Sequence, residues 1–144
     1  MTTAILSIAV TDAPGPEDVQ AIFRALDGDT APICGPARAD PLGVLLRDDT
    51  GTVVGGLWGV VTYSWLSIEM LFVPARWRGQ GVGSRLVRAA EAAARARGCL
   101  GAKVNSFDFQ APEFYQRLGF TAYAVLVDDP PGHRRIGLFK RLSA

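Results

Sequence analysis

A mixed α/β domain is the fold class this sequence predicts, and three observations carry the prediction. Apolar runs of strand length, rich in Val, Ile, Leu and aromatic residues, are interleaved with stretches of helical period. A strand, a glycine-rich turn and a long helix follow one another over residues 66–97, as in a crossover between two parallel strands. The 144 residues are 49% hydrophobic and 20% charged, which suits one domain with a full core and not a disordered chain. The whole chain, 1–144, is therefore expected to form a single domain.

The elements follow in order. Residues 4–11 (AILSIAVT) read as a strand, broken by Pro14 and Gly15. Pro16 to Leu26 reads as a helix, with Val19, Ile22, Phe23 and Leu26 on one face. Residues 28–41, rich in Gly and Pro, are expected to be irregular. LGVLLRDDTGTVVGGLWGVVTY reads as a hairpin turning at Asp48-Asp49-Thr50-Gly51. Its Gly55-Gly56 pair suggests a bulge or a close backbone neighbour.

The run WLSIEMLFVP is a strong strand ended by Pro74. Residues 82–97 form a helix with Val82, Leu86, Ala90 and Ala93 on one face and Arg85, Arg88 and Arg95 on another. Glu91 and Arg95 stand in the favourable i,i+4 order, and Gly98 stops the helix. Residues 99–106 make a further strand, Pro112 opens a short helix ending near Gly119, and two strands close the chain at roughly 120–128 and 134–142.

Several function classes are disfavoured by composition. A formal net charge of +1 gives no global pull toward nucleic acid. Cys34 and Cys99 form neither a disulfide framework nor a metal cluster, so no metal is expected, and reduced thiols suit the cytoplasm. The apolar run near the start has no basic flank and is too short to span a bilayer, so no membrane role is expected.

The stretch RWRGQGVGSRL, residues 76–86, is the most informative. Each glycine costs backbone entropy unless its geometry is used. A glycine-rich turn leading into a helix N-terminus presents unpaired N–H groups and the positive end of the helix dipole, an arrangement that binds anions. It is not a P-loop, because the GK[ST] lysine is missing. It is a poor dinucleotide fingerprint too, since the spacing is GxGxG and the next strand ends in Asn105-Ser106 where that fingerprint has its acidic residue. A plain glycine-rich surface turn remains the alternative.

Two motifs taken together point further. Arg78-Gly79-Gln80-Gly81-Val82-Gly83 after Val73-Pro74, and Phe114-Tyr115-Gln116-Arg117-Leu118-Gly119-Phe120 after the next strand, resemble the [QR]xxGx[GA] and FY..LGF-like segments of the GCN5-related N-acetyltransferases (GNAT). The resemblance covers the element order and is most specific over residues 69–120. It implies a mostly antiparallel central sheet that splays between the strands 66–73 and 99–106, flanked by helices. Acetyl-CoA is implied as acyl donor, with Leu71, Phe72 and Val73 along its pantetheine arm. Residues Arg78, Gly79, Gln80, Gly81, Val82, Gly83 and Ser84 would surround its pyrophosphate. Arg78 and Arg85 either help the phosphates or are solvated. The family has an asparagine seven residues before the tyrosine, where this chain has Asp108. An ionised Asp108 accepts hydrogen bonds and cannot donate them, so that contact is lost or comes from Asn105 or Ser106.

By the same resemblance, Tyr115 is the acid that protonates the departing thiolate, and a packed core tyrosine is the competing reading. Glu69, the only acid in an apolar strand, reads equally as a base or as a sheet carboxylate with a salt-bridge partner. The acceptor is an amine, small molecule or protein, of unknown identity. Exposed sheet edges leave room for a homodimer. His133, Asp128 and Asp129 lie in a loop that borders the acceptor site in such proteins, or are simply solvated. Cys34 and Cys99 read as inert, and Trp58, Trp65 and Trp77 as packing residues. The main alternative to an enzyme is a CoA or acyl-CoA sensor or interaction module of the same fold; a nucleotide-binding domain comes third.

Overall fold

The computed structural model describes residues 4–142. Two compact units divide at Ala37/Arg38. The first contains one helix, α1, Pro16–Cys34. Pro16 sits at its first position, the Asp18 carboxylate accepts the Gly15 N–H at 2.9 Å, and Gly35 at φ 79° ends it. The helix runs past Leu26 into the segment expected to be irregular. Once a helix is nucleated, each added residue needs only one more bond, so it continues through Gly28, and Pro32 falls in its final turns. No residue of α1 is buried. Residues 4–11 form no strand. A strand needs a partner ladder, and the described part of this unit contains no second strand.

The second unit holds a six-stranded sheet, three helical segments and the core. Its elements are β1 Asp40–Arg47, β2 Val53–Thr62, β3 Trp65–Phe72, a single 3₁₀ turn Ala75–Trp77, α2 Val82–Ala96, β4 Gly101–Phe107, α3 Pro112–Arg117, β5 Thr121–Val127 and β6 Arg134–Arg141. The sheet order is β1-β2-β3-β4-β6-β5. Every neighbouring pair is antiparallel except β3 and β4, which are parallel and joined through α2. The mixed, mostly antiparallel sheet expected from the sequence is thus present, without its first strand.

Two irregularities shape this sheet. The β1–β2 register slips at Leu46/Arg47, where Val54 is the extra residue beside Gly55 and Gly56. The β2–β3 register slips at Trp58/Gly59: Trp58 faces Met70, Gly59 faces Ile68, and Glu69 is left over as the bulge. Beyond this point β3 and β4 no longer pair. Their ladder covers only Trp65–Ile68 against Gly101–Val104.

The core lies between the sheet and α2, which packs on β1, β2 and β3. Leu57, Leu66, Val87 and Leu138 are its largest fully buried side chains, each worth about 1.5–3 kcal/mol of transfer free energy. Ala90 and Ala94 on α2 are fully buried and let the helix approach closely. Glu91 shares that buried face, so it does not pair with Arg95 as its spacing suggested. Instead it forms an ion pair with Lys140 of β6: Nζ lies 2.7 Å from Oε2, off the line of a hydrogen bond, and donates to Oε1 at 3.2 Å. Burial makes that pairing obligatory, because an unpaired carboxylate there would cost several kcal/mol.

Candidate active site

Where β3 and β4 part, a cleft of about 970 Å³ opens. One wall is the free end of β3, Glu69 to Val73; the other is Val104, Asn105 and Ser106 of β4; α3 contributes Phe114 and Tyr115, and the start of α2 closes one end. The wall on β3 is backbone as much as side chain. The Phe72 carbonyl points at Gly55 of β2. Successive strand residues point their N–H and C=O groups to opposite sides, so those of Leu71 and Val73 point into the gap. The Val73 carbonyl accepts a 2.8 Å hydrogen bond from Arg78 Nε, and the Arg78 guanidinium lies 5.6 Å from the centre of the Phe72 ring.

The glycine turn has two separate reasons for its glycines. Gly79 and Gly81 have φ of 74° and 81°, a conformation other residues adopt only with strain, and Gly81 caps α2 in that state. Gly83 is needed for space: a Cβ there would sit 3.2 Å from the Phe114 ring. Among the described residues, the backbone N–H groups of residues 79–84 donate to no protein acceptor, and the first helical bond runs from Arg85 to Gly81 at 3.1 Å. Six donors thus stand unpaired at the positive end of a helix with no acid in its first turn, and five of their residues line the cleft. This cradle fits a diphosphate. Arg78, Gly79, Gly81, Val82, Gly83 and Ser84 line the cleft, as do Leu71, Phe72, Val73 and Asn105; Gln80 and Arg85 do not. The Gln80 side chain turns away to donate to the Arg76 carbonyl at 3.2 Å.

Tyr115 lines the same cleft although the residue is only 7% exposed, its ring edge-on to Phe114 at 5.0 Å and to Phe120 at 5.6 Å. Its hydroxyl makes no hydrogen bond among the described residues. Burial pushes its pKa up to about 12, because the phenolate would lose its hydration. Glu69 also lines the cleft. Its Oε1 accepts a 2.8 Å hydrogen bond from Ser67 Oγ, and among the described residues it has no cationic partner.

Asp108 stands elsewhere. It does not line the cleft. Its carboxylate fastens the β5–β6 loop, with Oδ1 3.0 Å from His133 Nδ1 and Oδ2 accepting the Arg134 N–H at 3.0 Å. Desolvation raises its pKa, but the bonds from His133 and Arg134 outweigh that and hold it below the usual value. His133 lies edge-on to Phe109 at 4.9 Å. Phe109, Gln110, Ala111, Phe114 and Trp77 were missed as cleft residues. Phe114 and Trp77 lay inside the two quoted motifs, whereas the run DFQA after β4 was the only local trace of the other three, because the reach of a loop is not written in its pattern. Cys34 is exposed and Cys99 buried. Among the described residues no His/Cys/Asp/Glu cluster could hold a metal, and no helix is long and apolar enough to cross a membrane.

The model of the acetyltransferase (GNAT) family matches residues 4–120. The chain belongs to that family. Its sheet, parting between β3 and β4, is the GNAT fold. Blasticidin-S acetyltransferase of Streptomyces morookaense is 49% identical over 85 residues, which is 58% of this chain and 62% of that protein. This chain thus matches less than two thirds of that relative's length. An acetyltransferase of Agrobacterium fabrum is 34% identical over 84% of this chain and 88% of its own. The crystal structure of an acetyltransferase from Bacillus cereus aligns with a TM-score of 0.80 at 28% identity, covering 93% of this chain and 98% of that one.

Proposed function

We propose that the chain, as one domain, transfers the acetyl group of acetyl-CoA to a primary amine of a small molecule, by direct attack while donor and acceptor are both bound. The observation that carries this reading is the gap between β3 and β4, with free backbone donors at one end and Tyr115 at its side. The row of N–H groups at 79–84 suits a pyrophosphate, and the inward groups of Leu71 and Val73 suit an amide-bearing arm laid alongside like an added strand. Acetyl-CoA, when bound, supplies the acetyl group as a thioester.

The chain's residues then have three tasks. An alkyl ammonium, with a pKa of about 10.4, has no lone pair. Glu69, which lines the gap, orients the amine and passes its proton through water to solvent, so that the neutral fraction attacks. An inward N–H of β3, at Leu71, donates to the carbonyl oxygen as it gains negative charge. Tyr115 donates to the sulfur as the C–S bond breaks and the N–C bond forms. A phenol near pKa 12 would have to give its proton uphill, by about 3.5 units, to a thiolate of ordinary basicity. Its part is therefore a hydrogen bond in the transition state, and the proton that finally rests on the thiol comes from the acetylated nitrogen. The balance is one amine and one thioester giving one amide and one thiol.

The Streptomyces relative makes blasticidin S the first acceptor to test. Free thiols at Cys34 and Cys99 suit a cytoplasmic setting, where acetyl-CoA is available. The fully exposed edge strand β5 is the face on which a homodimer would form, and light scattering reads it directly. Calorimetric titration with acetyl-CoA, with ATP and NAD as controls, tests the donor. One-site binding of acetyl-CoA alone, followed by CoA release with an amine, is expected. Binding of ATP or NAD instead would overturn the reading.

A further inference from the structure

Beside the main cleft lies a second cavity of about 150 Å³, lined by Ile68, Glu69, Asn105, Phe107, Gln110 and Arg135. Ile68, Glu69, Asn105 and Gln110 line both spaces, so the two meet where the β3–β4 ladder ends. Glu69 is the small cavity's only acid and Arg135 its only cation. No ion pair joins the two. Arg135 Nη1 lies 3.6 Å from Asp129 Oδ2, too long for a hydrogen bond, and both side chains are well exposed, so that contact holds the guanidinium only loosely. The guanidinium otherwise sits 6.0 Å from the Phe107 ring centre and makes no hydrogen bond among the described residues. Gln110 gives its oxygen to the Phe107 N–H at 3.0 Å, which leaves its amide NH₂ unused.

We infer that this cavity is the acceptor subsite and that the acceptor is an amine bearing a carboxylate a few bonds from its nitrogen. Opposite charges held apart in one small space suit a zwitterion. The Arg135 fork takes the carboxylate through paired N–H donors. Glu69 holds the ammonium end at the junction with the main cleft, where the nitrogen must arrive to be acetylated. Phe107 forms an apolar wall, and the Gln110 NH₂ is a further donor to the carboxylate. The cavity admits a head group of a few heavy atoms, so the rest of a larger acceptor extends outside it. This inference rests on the N-acetyltransferase reading above and specifies its acceptor.

Matched pairs test it: ω-amino acids from glycine to 6-aminohexanoate, each against its own primary amide, with CoA release measured at saturating acetyl-CoA. The acids are expected to exceed their amides by about tenfold in kcat/KM, mainly through KM. Arg135→Met should bring that ratio close to one, and Arg135→Lys should restore part of it. An unchanged acetyl-CoA affinity in both variants shows that they are folded. Equal rates for acids and amides, or a preference that survives Arg135→Met, would overturn the inference. Saturation-transfer NMR of the same pairs on CoA-loaded protein reads the subsite without turnover. Contact from the acids that is lost in Arg135→Met supports the subsite even if no amine is acetylated, a result that would sink only the enzymatic reading. No contact from any acid sinks the subsite.

Discussion

The two sides of the β3–β4 gap are built from different materials. On the proposed donor side the recognising groups would be backbone: the N–H row at 79–84 and the inward groups of Leu71 and Val73, all within one short stretch of chain. On the proposed acceptor side they would be side chains, Glu69, Gln110 and Arg135, drawn from two strands and a loop. A backbone site depends on conformation, so it tolerates most side-chain changes and is sensitive to its glycines. A side-chain site is the reverse: its fold survives substitution while its ligand changes. Such a division would let one fold keep a single donor while its acceptors diversify.

The largest effect is expected at the sulfur, which belongs to neither side. Tyr115→Phe should lower kcat by about a hundredfold and leave both KM values within about twofold. A matching loss in acetyl-CoA affinity would instead make Tyr115 part of the donor site. Next comes Gly81→Val. A branched residue at φ 81° strains the cap of α2 by about 1–2 kcal/mol and shifts the N–H row, so acetyl-CoA should bind at least tenfold more weakly in the calorimeter, with acceptor KM unmoved. If both ligands suffer equally, the two sides are not separable.

Glu69→Gln makes the complementary test. Acceptor kcat/KM should fall about tenfold while acetyl-CoA affinity is retained. The pH profile sharpens the comparison further. Rate should climb with pH as the amine loses its proton. The phenol, with its pKa raised to about 12, keeps its proton below that value and loses it only as pH rises through it, so no descending limb is expected near pH 10. A limb near 10 that vanishes in Tyr115→Phe would contradict the burial. The smallest effect is expected for Asp108→Asn. The side chain can still accept from Arg134, so acetyl-CoA affinity should change less than about twofold, with a slight loss of melting temperature from the weaker hold on His133. A large loss of acetyl-CoA affinity would return Asp108 to the donor site.

Local pattern made much of this molecule readable, and its failures have local causes. α2 ends within one residue of its expected limit, because apolar period, glycine cap and glycine stop all agree there. Residues 4–11 have strand composition and no strand, since a ladder needs a partner that composition does not supply. Glu91 looked like a surface residue paired one turn ahead. Burial against β6 gave it Lys140, from 49 residues away. Asp108 sits at the family's asparagine position, yet its carboxylate closes a loop with His133 and Arg134.

By itself the sequence determined the glycine turn of the proposed donor side, because its backbone needs special φ angles, and glycines in a contiguous motif write those angles into the chain. It also determined the order of the strands and helices from β1 to β6 and brought Tyr115 to notice through a second motif. The motifs also implied which two strands part, and only the tertiary structure fixed the residue at which they do, with Glu69 as the bulge and Ile68 the last paired residue. It alone placed Arg135 in one cavity with Glu69. Side chains separated by an entire crossover and a hairpin meet through strand register, and register is a property of the assembled sheet that no short stretch of sequence contains.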